Sequence, residues 1–369
     1  MNPVKEIIYV LDFGSQYSHL ITRRIRELGV LAELTPSNID LAKLKEAKGI
    51  ILSGGPQNLS NSDALRVDRR VFGLGVPILG ICYGMQLTAF MLGGKVKAGK
   101  KSEYGSTEIT IKKNSAVLKG LSENQIVWMS HGDYVARLPK GFLNITSSKN
   151  CHIAGMEDAK KRIFCLQFHP EVKHTVNGKK IINNFLKITG VKRNWSMRDF
   201  ISDSITNIRK QIGQDRAVCA LSGGVDSAIA ATLVHRAIGK NLTCIYVDTG
   251  LMRAGETEQI VKTFKQYQKI DLRVVNAKKQ FLNKLKGIAD PERKRKIIGE
   301  LFIRIFEKES KKLGKIKWLV QGTLYPDIIE SATVGVSKTA VKIKTHHNVG
   351  GLPEKMNFKI IEPLKKLFK

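Results

Sequence analysis

The stretch VPILGICYGMQ, residues 76–86, decides how the rest of the chain is read. Its first half is apolar, its second half has helical character, and Cys82 stands at the junction between Gly80 and Gly84. That is the shape of a nucleophile elbow, a strand that turns sharply into a helix and is usually written G-x-S-x-G. Glycines two residues to either side leave room for the corner. The corner lifts one side chain above the carboxyl end of a sheet, beside a helix N-terminus, where a thiolate is favoured. A strand that feeds a helix directly is also the repeating unit of parallel α/β architecture.

Outward from this corner the same alternation continues. Short apolar runs (IIYVLDFG, GIILSGG, RIFCLQFHP) are separated by helical patterns such as YSHLITRRIRELG, which stops at Gly29 as a helix C-terminus does. A first α/β domain is expected over 1–190, closing on the helix KKIINNFLKITG. The polar stretch VKRNWSMRDFIS reads as a linker over 191–202. A second α/β domain is expected over 203–369, opening with helix ISDSITNIRKQIG, strand RAVCALSGG, helix VDSAIAATLVHRAIG and strand NLTCIYVDTG. Both sheets should be mostly parallel and flanked by helices.

At 369 residues the chain is too long for one ordinary core, and 42% hydrophobic with 25% charged residues is a globular mixture. No apolar run approaches the roughly 20 residues of a membrane span, and the N-terminus enters a strand without a signal-peptide pattern, so a cytoplasmic protein is expected. The five cysteines form no CxxC pair, which speaks against a disulfide framework or a zinc site. The net charge of +30 raises the question of nucleic acid, but the lysines are scattered and only 7% of residues are aromatic. A basic solvated surface without a specific nucleic-acid partner is expected.

A cysteine beside glycine can be a buried structural residue, and a lone histidine near a strand end usually is one. Two further segments favour chemistry. FHPEV places His169 and Glu171 two residues apart, on one side of an extended strand, as a base and the carboxylate that orients it. LSGGP at 52–56 offers backbone N–H groups, and Gly55 with the Tyr83 amide is the expected oxyanion pair.

In this order GGP, GICYG and HPE resemble the class I glutamine amidotransferase domain, which implies a flavodoxin-like fold. The resemblance implies that Cys82 attacks the glutamine side-chain amide, that His169 moves the protons and that Glu171 orients His169. It also implies glutamine binding by Gln86 and by Ser130, His131, Gly132 and Asp133.

The second domain carries ALSGGVDSAIAA, residues 220–231. A strand, a turn of small residues and a helix bring backbone amides close to phosphate oxygens. The spacing and lysine of Walker A are absent. The segment resembles the loop of the ATP pyrophosphatase family, with its adenine-nucleotide α-hydrolase-like fold. Ser222, Gly223, Gly224, Val225, Asp226 and Ser227 would then bind the pyrophosphate of ATP, with Asp226 holding Mg²⁺. Val247 and Leu251, near the carboxyl end of the next strand, are candidates for adenine contact.

Together with VDTGLMR, DPERKRKIIGELF, QGTLYPDIIES and IKTHHNVGGLP, the chain resembles the glutamine-hydrolysing GMP synthetase family over nearly its whole length. That implies adenylation of XMP by ATP and displacement of AMP by ammonia from glutamine. Glu292, Lys294 and Arg295 resemble a mobile lid over ATP. Asp327 and Glu330 are candidates for Mg²⁺ or XMP, and Lys344 for neutralising phosphate charge. The family is homodimeric and continues past Lys369 into a dimerisation domain, so weak or absent GMP synthesis is expected of this chain alone. The rival readings are a glutaminase-fused NAD synthetase, a remnant that keeps only glutaminase or ATP binding, and an RNA-binding protein.

Overall fold

The computed structural model describes residues 6–324, 327, 358–365 and 367, with backbone alone at 100 and 101. The chain divides into two compact units, Met1–Ser196 and Met197–Lys369.

The first unit holds strands β1 (Ile7–Asp12), β2 (Leu31–Pro36), β3 (Gly49–Leu52), β4 (Ile78–Ile81), β5 (Lys95–Ile111), β6 (Asn124–Arg137), β7 (Leu143–Ser148), β8 (Gly155–Asp158) and β9 (Ile163–Leu166). Its helices are α1 (Ser18–Glu27), α2 (Leu41–Lys45), α3 (Tyr83–Met91) and α4 (Gly178–Thr189). The strands form one sheet in the order β2-β1-β3-β4-β9-β8-β7-β5-β6. From β2 to β9 every pairing is parallel. From β9 to β6 every pairing is antiparallel. Within the parallel half β1, β3, β4 and β9 are the apolar runs visible in the sequence, while β2, LAELTP, was not read as one. The antiparallel half was not expected, because β5 is polar through most of its length and β6, despite the apolar residues 126–129, buries alternate residues and carries polar ones on both sides of them. Helix α1 stops where Gly29 takes φ +78, and α4 where Gly190 takes φ +67.

The second unit holds β10 (Ala217–Leu221), β11 (Leu242–Asp248), β12 (Asp271–Asn276), β13 (Trp318–Val320) and β14 (Lys359–Ile361). Its helices are α5 (Met197–Ile212), α6 (Val225–Ile238), α7 (Glu256–Val261), α8 (Lys278–Leu285) and α9 (Pro291–Lys311). The sheet runs β12-β11-β10-β13-β14, parallel throughout. All seven residues of β11 are buried, because both faces are covered. Leu242, Cys244 and Tyr246 point into one apolar cluster, and Ile245 and Val247 into the other. Cys219 and Cys244 are therefore core residues.

Residues 197–202, read as linker, are the first turns of α5. Their polarity conceals a one-sided helix: Ile201, Ile205, Ile208 and Ile212 recur at helical spacing and pack on the same apolar cluster. Helix α9 starts on Asp290, whose carboxylate accepts from the Glu292 and Arg293 amides at 3.2 and 3.1 Å, with Pro291 in the first turn.

Candidate active sites

In the first unit the corner between β4 and α3 forms at Cys82, with φ +50 and ψ −105. A non-glycine residue at positive φ costs about 1–3 kcal/mol and persists where its surroundings over-determine it. Here they do. The Cys82 amide donates to Leu166 O at 2.8 Å and the Gly84 amide to Ser53 O at 3.1 Å. A Cβ on Gly84 would lie 2.3 Å from Leu52 O, and one on Gly80 would lie 2.8 Å from Gly84 O. Helix and strands touch too closely for any side chain at either position.

His169 and Glu171 come together, though by a route other than the expected strand. Strand β9 ends at Leu166, and residues 170–171 form a turn at Pro170. Three bonds hold that turn. Thr175 Oγ1 donates to His169 O at 2.6 Å, the His169 amide donates to Trp128 O at 3.0 Å, and Arg24 Nε donates to Glu171 O at 3.2 Å. His169 Nδ1 then lies 2.7 Å from Glu171 Oε1. Both residues are buried, His169 at 3% and Glu171 at 1% exposure. Burial works to lower the His169 pKa, but the Glu171 carboxylate and a hydrogen bond with Cys82 outweigh it and hold it well above 6.5.

Cys82 and His169 line one cavity of about 580 Å³ together with Gly55, Gln86 and residues 130–133. Every residue expected in the glutamine site reaches this cavity except two. Glu171 stands behind His169. Tyr83 has its ring buried, with the hydroxyl donating to Leu65 O at 2.7 Å. Its amide is the first of α3, one of the N–H groups a helix leaves without an internal acceptor. Residues 130–133 belong to strand β6.

The cavity has further walls that residue-type reasoning missed. Residues 14–17 and Tyr104 line it, and the Tyr17 ring meets the His169 ring edge-on at 5.3 Å. Gln167 is fully buried beside the sulfur, although it stands in the quoted run LQFHP. Among the described residues, Glu103, His131 and Cys151 are the one group of three metal-capable side chains. Glu103 accepts from Ser148 Oγ at 2.8 Å and lies 3.2 Å from His131 Nε2.

In the second unit Ser222, Gly224, Asp226 and Ser227 line a cavity of about 470 Å³. Gly223 turns the loop at φ +84. The Ser222 amide donates to Ser227 Oγ at 3.3 Å, and Ser227 Oγ donates to Gly224 O at 2.9 Å, which ties the loop to the first turn of α6. Val225 begins that helix and is exposed. Leu251 lines the cavity, but Val247 does not: alternation along β11 sends its side chain into the core. Ile298, Phe302, Ile303 and Phe306 of α9 supply an apolar wall that residue types alone did not indicate.

Glu292, Lys294 and Arg295, expected in a lid, are exposed residues of the first turns of α9 and do not line the cavity. The helix is exposed on every side over residues 291–296, and its contribution to the cavity wall begins only at Ile298. Asp327 Oδ2 accepts from the Leu324 amide at 2.9 Å. Glu330 and Lys344 lie outside the described residues. Among the described residues no helix is long and apolar enough to cross a membrane.

Residues 9–189 match the family model for class-I glutamine amidotransferases, and residues 212–363 match that for thiamine biosynthesis protein ThiI. The chain is similar to the glutamine-hydrolysing GMP synthase of Carboxydothermus hydrogenoformans, 54% identical over 98% of this chain and 71% of the relative. Enzymes of the same name from Caldicellulosiruptor saccharolyticus and Clostridium botulinum (strain Langeland) are 55% and 51% identical, each over 99% of this chain and 71% of the relative.

Proposed function

This chain belongs to the family of glutamine-hydrolysing GMP synthases, and we propose that its first unit hydrolyses glutamine through Cys82 while its second uses ATP to activate XMP. The reading is carried by the meeting of Cys82, His169 and Glu171 at one closed corner. The Cys82 sulfur adds to the side-chain carbonyl carbon of glutamine. The C–N bond breaks, His169 gives the leaving nitrogen its proton, and a glutamyl thioester remains. His169 then takes a proton from water, which hydrolyses the thioester to glutamate. Glu171 holds the Nδ1 proton of His169, so that Nε2 faces the sulfur. The amides of Gly55 and Tyr83 receive the oxyanion.

At the second site the C2 oxygen of XMP attacks the α-phosphate of ATP. Pyrophosphate leaves toward the 222–227 loop, and ammonia then displaces AMP to give GMP. A purine carbonyl oxygen is a poor leaving group, and adenylation removes that barrier. Leu251 and the apolar wall of α9 suit the adenine ring. Asp226, Ser222 and Ser227 present oxygen ligands, the donors Mg²⁺ takes, and a bound Mg²⁺ would neutralise phosphate charge there. The same reading brings with it a cytoplasmic location and the homodimeric state of the family.

The test supplies glutamine, ATP, Mg²⁺ and XMP and follows glutamate, AMP and GMP. Cys82→Ala should lose glutamate release from glutamine while any ammonium-dependent synthesis shown by the parent chain is unchanged. Glutamate release by Cys82→Ala at the parental rate would overturn the assignment.

A further inference from the structure

The orientation of two buried amides beside the nucleophile can be worked out from fixed acceptors. The Asp133 carbonyl can only accept, and the end of the Gln86 amide 2.8 Å from it is therefore Nε2. The same nitrogen lies 3.4 Å from the Gln167 amide, so the end of Gln167 that faces it is Oε1. Gln167 must then turn its Nε2 the other way, and that nitrogen lies 3.7 Å from Cys82 Sγ. Neither amide is free to flip. Gln167 is fully buried and Gln86 is 4% exposed. His131 Nδ1 holds the Asp133 carbonyl from a second direction at 2.9 Å.

The sulfur has a second neighbour of opposite character. Ser130 O lies 3.5 Å from Sγ. A carbonyl oxygen accepts from a thiol and repels a thiolate, so on ionisation this contact turns unfavourable. An N–H fixed on the sulfur acts in the other direction, because an anion accepts a hydrogen bond far more strongly than a thiol does. The backbone keeps donor and sulfur in step. The Cys82 amide bonds to Leu166 O at 2.8 Å, immediately before Gln167, and the Gln167 amide bonds to Ala154 O at 2.9 Å.

We infer that Gln167 is a catalytic residue of the glutaminase site, an N–H donor to the Cys82 thiolate, and that Gln86 is the positioning residue that fixes its orientation. The inference rests on the reading of Cys82 as nucleophile. It leaves Gln86 with only its oxygen to offer a substrate, since both N–H bonds are committed. The other titratable groups sharing the cavity with the sulfur are His169, His131, Asp133, Tyr17 and Tyr104, with Glu171 behind His169.

The experiment measures the rate of Cys82 alkylation by iodoacetamide against pH, and glutamine hydrolysis, for Gln167→Leu, Gln86→Leu and Cys82→Ala in the full chain. Leucine keeps the apolar volume and removes the donor. Gln167→Leu should slow alkylation near neutral pH by about tenfold, the worth of one hydrogen bond to a charged group. Its profile should move to higher pH, and kcat should fall with little change in KM. Gln86→Leu should shift the profile in the same direction by less, and it carries the test if Gln167→Leu does not fold. A purely space-filling Gln167 would leave the profile in place, and a parental profile in both leucine variants overturns the inference. Glutamine hydrolysis by Cys82→Ala would instead bring down the reading beneath it.

Discussion

His169 Nδ1 and Glu171 Oε1 lie 2.7 Å apart in a turn where both side chains are buried. A carboxylate so placed accepts a hydrogen bond from Nδ1–H, stabilises the imidazolium and costs stability if it loses its partner.

The first prediction concerns the charge on that imidazole. Burial lowers the His169 pKa, while Glu171 and Cys82 raise it further, to well above 6.5. A raised pKa means the folded protein binds this proton more tightly than the unfolded chain does. The resulting stability is fully present below about pH 6.5 and is lost as pH rises through the raised value. Glu171→Gln should bring the titration of His169 down, followed by NMR of its ring protons. Glutamine hydrolysis should fall by about 10²-fold or more. An unchanged His169 midpoint in Glu171→Gln would contradict the assigned cause.

Thiol chemistry should be selective. Burial pushes Cys165 up to about 12, and burial with the nearby Glu103 does the same to Cys151. Cys244 is pushed well above 9.0 by its hydrogen bond with Cys219 and by burial. Only Cys82 lines the substrate-sized cavity of the first unit. Brief treatment of the native protein with iodoacetamide at pH 7 should mark one peptide, that of Cys82, by mass spectrometry. Equal labelling of Cys151 or Cys165 before unfolding would refute the selectivity.

Gly84→Ala tests the corner. In an ordinary helix the change gains about 1 kcal/mol. Here the new methyl would lie 2.3 Å from Leu52 O, so α3 must move off the sheet. The variant should lose about 1–3 kcal/mol, read as a lower urea midpoint at constant slope, together with glutaminase activity. A gain in stability would show that the corner is looser than its contacts indicate.

Val247→Ala and Leu251→Ala should part ways. Val247 is fully buried in the second core, and its truncation should cost about 1–3 kcal/mol of stability while ATP affinity holds. Leu251 is 49% exposed and lines the cavity, and its truncation should weaken ATP binding without moving the unfolding midpoint. Calorimetric titration and urea unfolding on the same two proteins decide it, and a reversed pattern would return adenine contact to Val247.

The apolar runs at residues 7–12, 49–52, 78–81 and 163–166 were legible as strands because strands buried on both faces must be apolar throughout. The corner at Cys82 and the loop at 222–227 were legible for a related reason: each needs glycines at fixed offsets, and that need is written locally. Other features were hidden by composition. Strand β5 is polar through most of its length and β6 buries alternate residues, so neither read as a strand, and the first turns of α5, residues 197–202, hold only one of its four packing isoleucines and so read as linker. The lid residues on α9 went to solvent because the sequence showed their charges but not where along the helix contact with the cavity would begin.

What the amino-acid sequence determined alone was the chemistry within each short segment, since steric demands of a turn and the periodicity of a strand act between neighbours in the chain. Tertiary structure alone decided which segments meet. Gln167 reaches a sulfur 85 residues away because β4 and β9 pair in one register, placing Ile81 beside Leu166. Neither segment carries that register by itself. It comes from the apolar faces of the whole sheet closing together, and a shift of one residue would turn those side chains to the opposite face.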